Sequence, residues 1–503
     1  MDLKDVFYRW VPGWIRFTVL FILFFTMLTC NGVYLGNVTD MYSGLGVYAE
    51  PFTEAYNAVF IGMALGFLIQ VRLRQRFPTK GLILYGLAMM LLLNFVCMIT
   101  GNPAVFVGAC LLLGFCKIAG YFEIFFTWIY IFSKTYDRSR IYPFVFFVAL
   151  PGSYVVTWAT TRLAYAFDWH YAYIAVLLLL LFCMLLTLVF VEHHPIRRIY
   201  PLYQMDWPGL LLLACTLLLV NYIAVYGKVE DWFESVRIRG AVVLLPVTLF
   251  GFLRRELYVK RPVVPYRIFR SRAFLKGQFF FIMLGVFLPS SIQNSFTKDI
   301  LHFEAIRDGE LNLYLIPGAA AGAVFAWLWY YYKKDPDVLL FAGFLAFELY
   351  YLILYQRLAI GLGPEDFWLP SLFKGLGIIL LYVCIGLYTV SRFMLPDLLK
   401  AVAFMIITRS VVASGGFTGL YSYLIYSGSV RHLDRLAGLV GSGDYIQNQP
   451  AGAYLQTITQ QAALAAFKEM TGDILLFGLI LLAAMATSIF YRRVLLRGRI
   501  FNQ

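Results

Sequence analysis

The chain has 503 residues, of which 61% are hydrophobic and 14% charged, and its mean hydropathy is +0.75. Soluble domains run near ~45–50% apolar and ~25% charged, so this composition excludes both an ordinary soluble protein and a disordered one. The net charge of +13 raises nucleic acid as a partner, and the placement of the basic residues decides against it.

Fourteen spans of ~20 residues would take about 280 positions, and 61% of 503 residues supplies about 307 apolar ones. Apolar runs place spans at 15–36, 55–71, 81–100, 104–132, 142–165, 171–192, 208–226, 238–253, 274–295, 311–331, 338–356, 370–390, 399–426 and 472–491. The unbroken run from Tyr173 to Val191 is unlike the short alternating strands of a β-barrel. The expected fold is therefore an all-α polytopic membrane protein with 14 transmembrane helices.

The first run follows Lys4, Arg9 and Arg16 as a signal peptide would, but it is about 20 residues long and has no small-residue cleavage site. It reads as the first permanent span. Near its outer end Asn31 and Asn37 are polar, with Asp40 just beyond; Asn31 is suited either to a ligand or to helix-to-helix hydrogen bonding.

In the fourth span lie Lys117 and Glu123. A charge at mid-helix costs about +2.5 to 3.5 kcal/mol on insertion scales, which makes each a candidate functional residue. At about 100° per residue the two side chains stand about 120° apart, so they are expected to line one broad cavity without pairing. Glu123 is suited to proton or substrate binding, or to pairing with a neighbouring helix, and Lys117 to a substrate or to a structural partner.

Segment 193–206, with His193, His194, Arg197 and Arg198, reads as a linker. So does the stretch Arg254 to Lys276, which is rich in Lys and Arg and includes Pro262 and Pro265. Two spans lie between these linkers. The expected domains are an N-terminal six-helix bundle at 1–200, two inserted spans at 201–260 and a C-terminal six-helix bundle at 261–503.

In that last part Glu348 lies near mid-depth, whereas Lys374 sits close enough to the outer end of its span to snorkel. Arg409 lies deep in the thirteenth span, and Ala413 and Gly416 follow it with small side chains that permit close helix contact. Arg409 should therefore face inward, as an inter-helix anchor or a substrate contact. Residues 427–471 read as a long outer loop, glycine-rich at Gly438, Gly441 and Gly443, followed by a helix from Pro450 to Met470. That helix is expected to rest on the outer membrane surface or to dock a periplasmic partner.

With the N-terminus in the cytoplasm, most of the 41 Lys and Arg fall in inner segments, while the acids favour outer ones such as Asp299 to Glu310 and the pair Glu365 and Asp366. An even number of crossings returns Arg492, Arg493, Arg497 and Arg499 to the cytoplasm. The expected location is a cell inner membrane, with the basic residues facing anionic lipid and no nucleic acid as partner. All seven cysteines lie in apolar runs and read as core packing. No phosphate-binding loop, His-Glu-x-x-His or Mg²⁺-binding acid pair occurs, so neither an enzyme, a metal nor a cofactor is expected.

One stretch carries a resemblance. It runs from Asp206-Trp207-Pro208-Gly209 through Gly227-Lys228-Val229-Glu230-Asp231-Trp232 to Pro262-Val263-Val264 and Ile268-Phe269-Arg270-Ser271-Arg272-Ala273-Phe274. With Asp168-Trp169, Leu315-Ile316-Pro317-Gly318 and Arg409 ahead of Ser414-Gly415-Gly416, the chain resembles the major facilitator superfamily, and within it the fourteen-span drug:proton antiporters of the EmrB/QacA type. In the loop after the second span Gln75 stands where that family has an aspartate, while Arg76 and Lys80 keep its basic end. The fifth span keeps Pro151-Gly152 but not the family's glycine repeat, and Cys110 stands near the place of its fourth-span arginine.

The resemblance implies a secondary active transporter that exports a small amphipathic compound or drug against protons by alternating access, with its site near the bilayer midplane between the halves. Glu123 would carry the proton, because a carboxyl in a low-dielectric cavity can load it outside and release it inside. Asn31, Lys117 and Arg409 would touch substrate, and Arg76, Lys80, Pro151, Gly152, Pro317 and Gly416 would serve gating or structure. A proton-coupled uptake symporter for a metabolite, or a membrane scaffold for a periplasmic adaptor and outer-membrane channel, are the alternatives.

Overall fold

The computed structural model describes residues 6–34, 36, 38–132, 138–193, 201–227, 229–264, 266–288, 293, 296–359, 361–391, 393–439 and 451–501. Lys4, Asn37, His194, Arg197, Arg198, Lys228, Pro265, Gly441, Gly443 and Pro450, all singled out above, lie outside the described residues.

The helices are α1 (Gly13–Thr29), α2 (Val38–Leu45), α3 (Glu50–Arg76), α4 (Thr79–Ile99), α5 (Pro103–Phe132), α6 (Tyr142–Ala166), α7 (Trp169–Phe190), α8 (Trp207–Tyr226) and α9 (Val236–Tyr258). They continue as α10 (Arg272–Phe287), α11 (Ala305–Leu313), α12 (Leu315–Tyr331), α13 (Pro336–Arg357), α14 (Trp368–Val390), α15 (Leu395–Ile406), α16 (Phe417–Leu439) and α17 (Ala451–Phe501). A helix satisfies its own backbone polar groups, which is what a hydrocarbon environment demands. Acids and hydroxyls punctuate the runs: Asp168, Asp206, Ser235 and Asp335 each accept a backbone N–H at the start of α7, α8, α9 and α13.

Twelve of the described helical segments are long and apolar enough to cross a membrane, and α1 is a shorter apolar helix. The expected first and ninth spans, 15–36 and 274–295, correspond to helices of 17 and 16 residues. The first ends at Thr29, where Cys30 turns extended, and Gly32 beyond it takes a φ of +77° at which a residue with a Cβ would be strained.

Contacts divide the chain into two compact units, Met1–Met283 with Ile385–Gly416, and Leu284–Cys384 with Phe417–Gln503. In the first, α3 lies directly on α5. A Cβ placed at Gly62 would overlap the carbonyl of Leu111, one at Gly66 would come within 2.8 Å of the Phe115 carbonyl, and one at Gly114 would overlap the carbonyl of Val59. The second unit repeats the arrangement between α12 and α14, where Gly318 faces the Leu372 carbonyl, Gly322 the Leu376 carbonyl at 3.0 Å, and Gly375 the Leu315 carbonyl. Small residues four apart let two backbones touch, the usual route to helix packing in lipid, where apolar burial no longer drives association.

The expected outer loop at 427–471 is helical at its described residues, 427–439 and 451–471, while 440–450 lie outside them. Helix α16 runs on to Leu439, and α17 is one 51-residue helix that joins the expected surface helix to the last span. The extensions pack on each other: a Cβ at Gly428 would lie 3.1 Å from the Ala466 side chain, and Glu469 bonds both Arg431, at 3.7 Å, and His432, at 3.0 Å. Within α17 Ala462, Ala466, Phe467 and Met470 are buried, whereas Leu455 is exposed.

The glycine contacts generate a prediction. Gly62→Val and Gly318→Val should each destabilise the protein by about 1–3 kcal/mol through overpacking, lowering the thermal midpoint in detergent. Gly108→Ala, where a Cβ meets nothing within 4 Å, should leave the midpoint unchanged or slightly raised.

Candidate functional site

Two buried charges of the first unit, Lys117 and Glu123, lie on α5. Lys117 is completely buried, and its ammonium donates to Asn31 Oδ1 at 2.6 Å, the Leu28 carbonyl at 3.3 Å and the Cys30 carbonyl at 3.4 Å. The last carbonyls of a helix lack intrahelical partners and carry the negative end of its dipole, so a lysine there completes α1. Around the same turn Tyr173 donates to the Gly32 carbonyl at 2.7 Å, and Tyr34 donates to Asn94 Oδ1 at 2.8 Å. A Cβ at Gly32 would press on Cys110 Sγ at 3.2 Å and sit 3.6 Å from Cys97 Sγ. Asn31 and Lys117 are thus brought together, and all three ammonium hydrogens have protein acceptors.

Glu123 lies elsewhere, about 9 Å further along α5 at 1.5 Å per residue. It is buried against the turn between α3 and α4: Arg74 Nε is 3.2 Å from Oε1, and the Thr79 hydroxyl donates to Oε2 at 2.9 Å. The Arg74 guanidinium also covers the Phe126 ring at 4.6 Å. Lys117 and Glu123 are not paired with each other; each is engaged by a different neighbour. The loop basic residues have separate tasks. Lys80 donates to the Leu188 carbonyl at 2.9 Å near the end of α7, and Arg76 lies over Phe77 at 5.8 Å.

Arg409 is half-buried within a ten-residue π-helical stretch, Ile407–Gly416, its Nε donating to Ser410 Oγ at 3.4 Å and its Cζ 5.6 Å from the Phe60 ring centroid on α3. Such a stretch widens the helix and recurs at functional sites. Gly416 does not supply the expected close contact, since a Cβ there would meet nothing nearer than the Val411 carbonyl at 3.8 Å; the buried Ala413 occupies the packed side. Pro151 lies inside α6, and Gly152 beside it admits the Phe25 ring of α1, 3.0 Å from a notional Cβ. Pro317 falls in the first turn of α12, where its missing N–H costs nothing.

Part of the stretch that carries the family resemblance forms a clasp on α8 and α9. Asp206 accepts the Gly209 N–H at 3.1 Å and Arg255 Nε at 2.7 Å, tying the start of α8 to the end of α9. At the other end Glu230 accepts Ser235 Oγ at 2.6 Å and the Tyr222 hydroxyl at 3.0 Å, and the Ser235 hydrogen bond holds its carboxyl below the usual range. Glu256 receives the N–H groups of Val263 and Val264 at 3.1 and 3.2 Å.

In the second unit Lys374 is buried and does not snorkel. From residue 364, where its helical segment starts, the chain rises about 15 Å before reaching it. It donates to Gln293 Oε1 at 2.9 Å, beside the Tyr350 ring, and the Tyr350 hydroxyl donates to the same oxygen at 3.2 Å. Glu348 is also buried, on α13. Sequence reasoning missed Asn94 and Gln293, although a polar amide inside an apolar run is the same signal that singled out Asn31. Six cysteines are buried as expected, whereas Cys215 is exposed. Among the described residues no group of His, Cys, Asp and Glu is arranged to hold a metal.

The geometry makes Lys117 an anchor whose loss is felt without any substrate. Lys117→Met would orphan three acceptors at about 1–3 kcal/mol each, so the thermal midpoint of the substrate-free protein should fall well below that of Lys117→Arg, which keeps a donor there; equal midpoints for Lys117→Met and wild type would remove the anchoring role.

No known family profile matches the chain. Multidrug resistance protein 3 of Bacillus subtilis (strain 168) is 26% identical over 98 residues, which is 18% of this chain and 19% of that protein, so the chain spans about a fifth of that curated relative. Among solved structures, a POT peptide transporter in complex with sulfate matches with a TM-score of 0.56 at 14% identity over 94% of each chain. The human organic anion transporter MFSD10 matches at 0.51 with 13% identity, over 94% of this chain and 100% of its own. The nucleoside transporter NupG matches at 0.53 with 10% identity, over 94% and 98%. These likenesses show the fold: the chain is an all-helical, multi-pass membrane protein with the architecture of these solved transporter structures.

Proposed function

We propose that the chain is a proton-coupled secondary transporter of the fourteen-span drug:proton antiporter type, exporting a small amphipathic compound by alternating access. The fold supports a transporter, and the motif run around the two inserted helices, together with the short match to Multidrug resistance protein 3, supports the drug-exporting branch. Counting α1 and α10 as spans beside the twelve longer segments gives fourteen crossings, with both termini on the basic, cytoplasmic side of an inner membrane.

The observation that carries proton coupling is the burial of Glu123 against Arg74. An ion pair at low dielectric is strong only while both partners are charged. Protonation of Glu123 removes the counter-charge of Arg74, the more exposed partner at 15% against 1%, and loosens the α3–α4 turn from α5. Arg409, on its π-helical stretch, is the residue we assign to substrate. Asn31 and Lys117 serve the same site indirectly, by fixing the end of α1.

In proteoliposomes holding an amphipathic dye, an imposed proton gradient should move dye and protons in opposite directions. Glu123→Gln should abolish that coupled movement while the protein still runs as a folded species on gel filtration. Full activity of Glu123→Gln would take it out of the mechanism, and dye moving with the protons would mean uptake by symport.

A further inference from the structure

The second unit holds a buried acid that the mechanism above does not use. Glu348 lies on α13 with 5% of its surface exposed, and neither carboxyl oxygen has a hydrogen-bond partner. It faces α17 at Gly478, where a Cβ would overlap Oε2 and also meet the Phe287 ring at 3.2 Å. Phe287 itself packs on Phe344, Phe347 and Tyr351 of α13 and on Phe477 of α17, so the surroundings of the carboxyl are aromatic.

The charged and titratable groups on the packed elements are committed to other partners or lie apart. On α17, Arg492 is paired with Asp337 of α13, and Asp473 is more than a helical turn from Gly478. On α14, Lys374 is held by Gln293, and on α12 Tyr330 lies beside Cys384. On α13 itself the Tyr351 hydroxyl donates to the Phe287 carbonyl, the Tyr350 hydroxyl to Gln293, and Arg357 pairs with Asp366. Among the described residues no cation is paired with Glu348.

An ionised carboxylate stripped of water and partners is so costly that the group takes up a proton instead. We propose that Glu348 is a second proton-binding site, and that its protonated form is what allows α13 and α17 to close on each other at Gly478. Ionisation sends the proton to water and requires that water or a cation reach the carboxylate, which this contact excludes. The two helices must then part, so closure and proton occupancy are linked. The inference rests on the transport reading for the use made of the proton, but not for the protonation itself.

Infrared difference spectroscopy of the purified full chain in lipid separates the two. Raising the pH should bleach a protonated-carboxyl C=O band in wild type that is absent from Glu348→Gln, and Gly478→Ala should shift or weaken that band by displacing the carboxyl. In proteoliposomes Glu348→Gln should retain dye counterflow and lose gradient-driven movement. A band that persists in Glu348→Gln overturns the assignment, as does undiminished gradient-driven movement in that variant. If wild type itself ignores the proton gradient, the transport reading fails while the band still decides whether Glu348 holds a proton.

Discussion

Water is missing from the interior of a helical bundle in lipid, so every polar side chain placed there must be answered by another part of the same chain. That constraint organises the buried residues. Lys117 is answered by two carbonyls and an amide at the end of α1, Glu123 by Arg74 and Thr79, and Lys374 by the Gln293 amide. Neither oxygen of Glu348 has a hydrogen-bond partner, which sets it apart from these three and underlies the proton we assign to it. The fold supplies rigid neighbours, and chemistry enters where the answer can be withdrawn.

Rigidity comes from backbone contact. Because Gly62, Gly66 and Gly114 bring α3 against α5, and Gly318, Gly322 and Gly375 bring α12 against α14, neither pair can slide without a clash. The two units solve one packing problem in the same way, each around its own buried lysine. The π-helical stretch at Ile407–Gly416 departs from this regularity, and it carries Arg409.

Much of this was legible in the residues themselves. Hydropathy located the helices, since a run that fills a bilayer leaves little ambiguity, and inward charge singled out Lys117, Glu123 and Arg409. What it did not give was partnership. Nothing in the spacing of Lys117 and Glu123 says that one meets the end of α1 and the other Arg74 across a turn, because those meetings depend on which helices are neighbours. Lys374 was misjudged for a related reason: its depth follows from where the helix starts, and the polar turn Pro364–Phe367 is helical too. The segment after Ser427 misled because an amphipathic face reads alike whether it covers lipid or another helix.

The last helix is longer than any membrane needs. Between Asp473 and Arg492 its apolar stretch rises about 27 Å, close to the ~30 Å of a hydrocarbon core. The preceding 23 residues, Ala451 to Asp473, extend the same rod by about 34 Å beyond it. Any tilt of α17 at Gly478 would thereby be magnified toward the far end of the rod, and the α16 extension packed on it would have to follow.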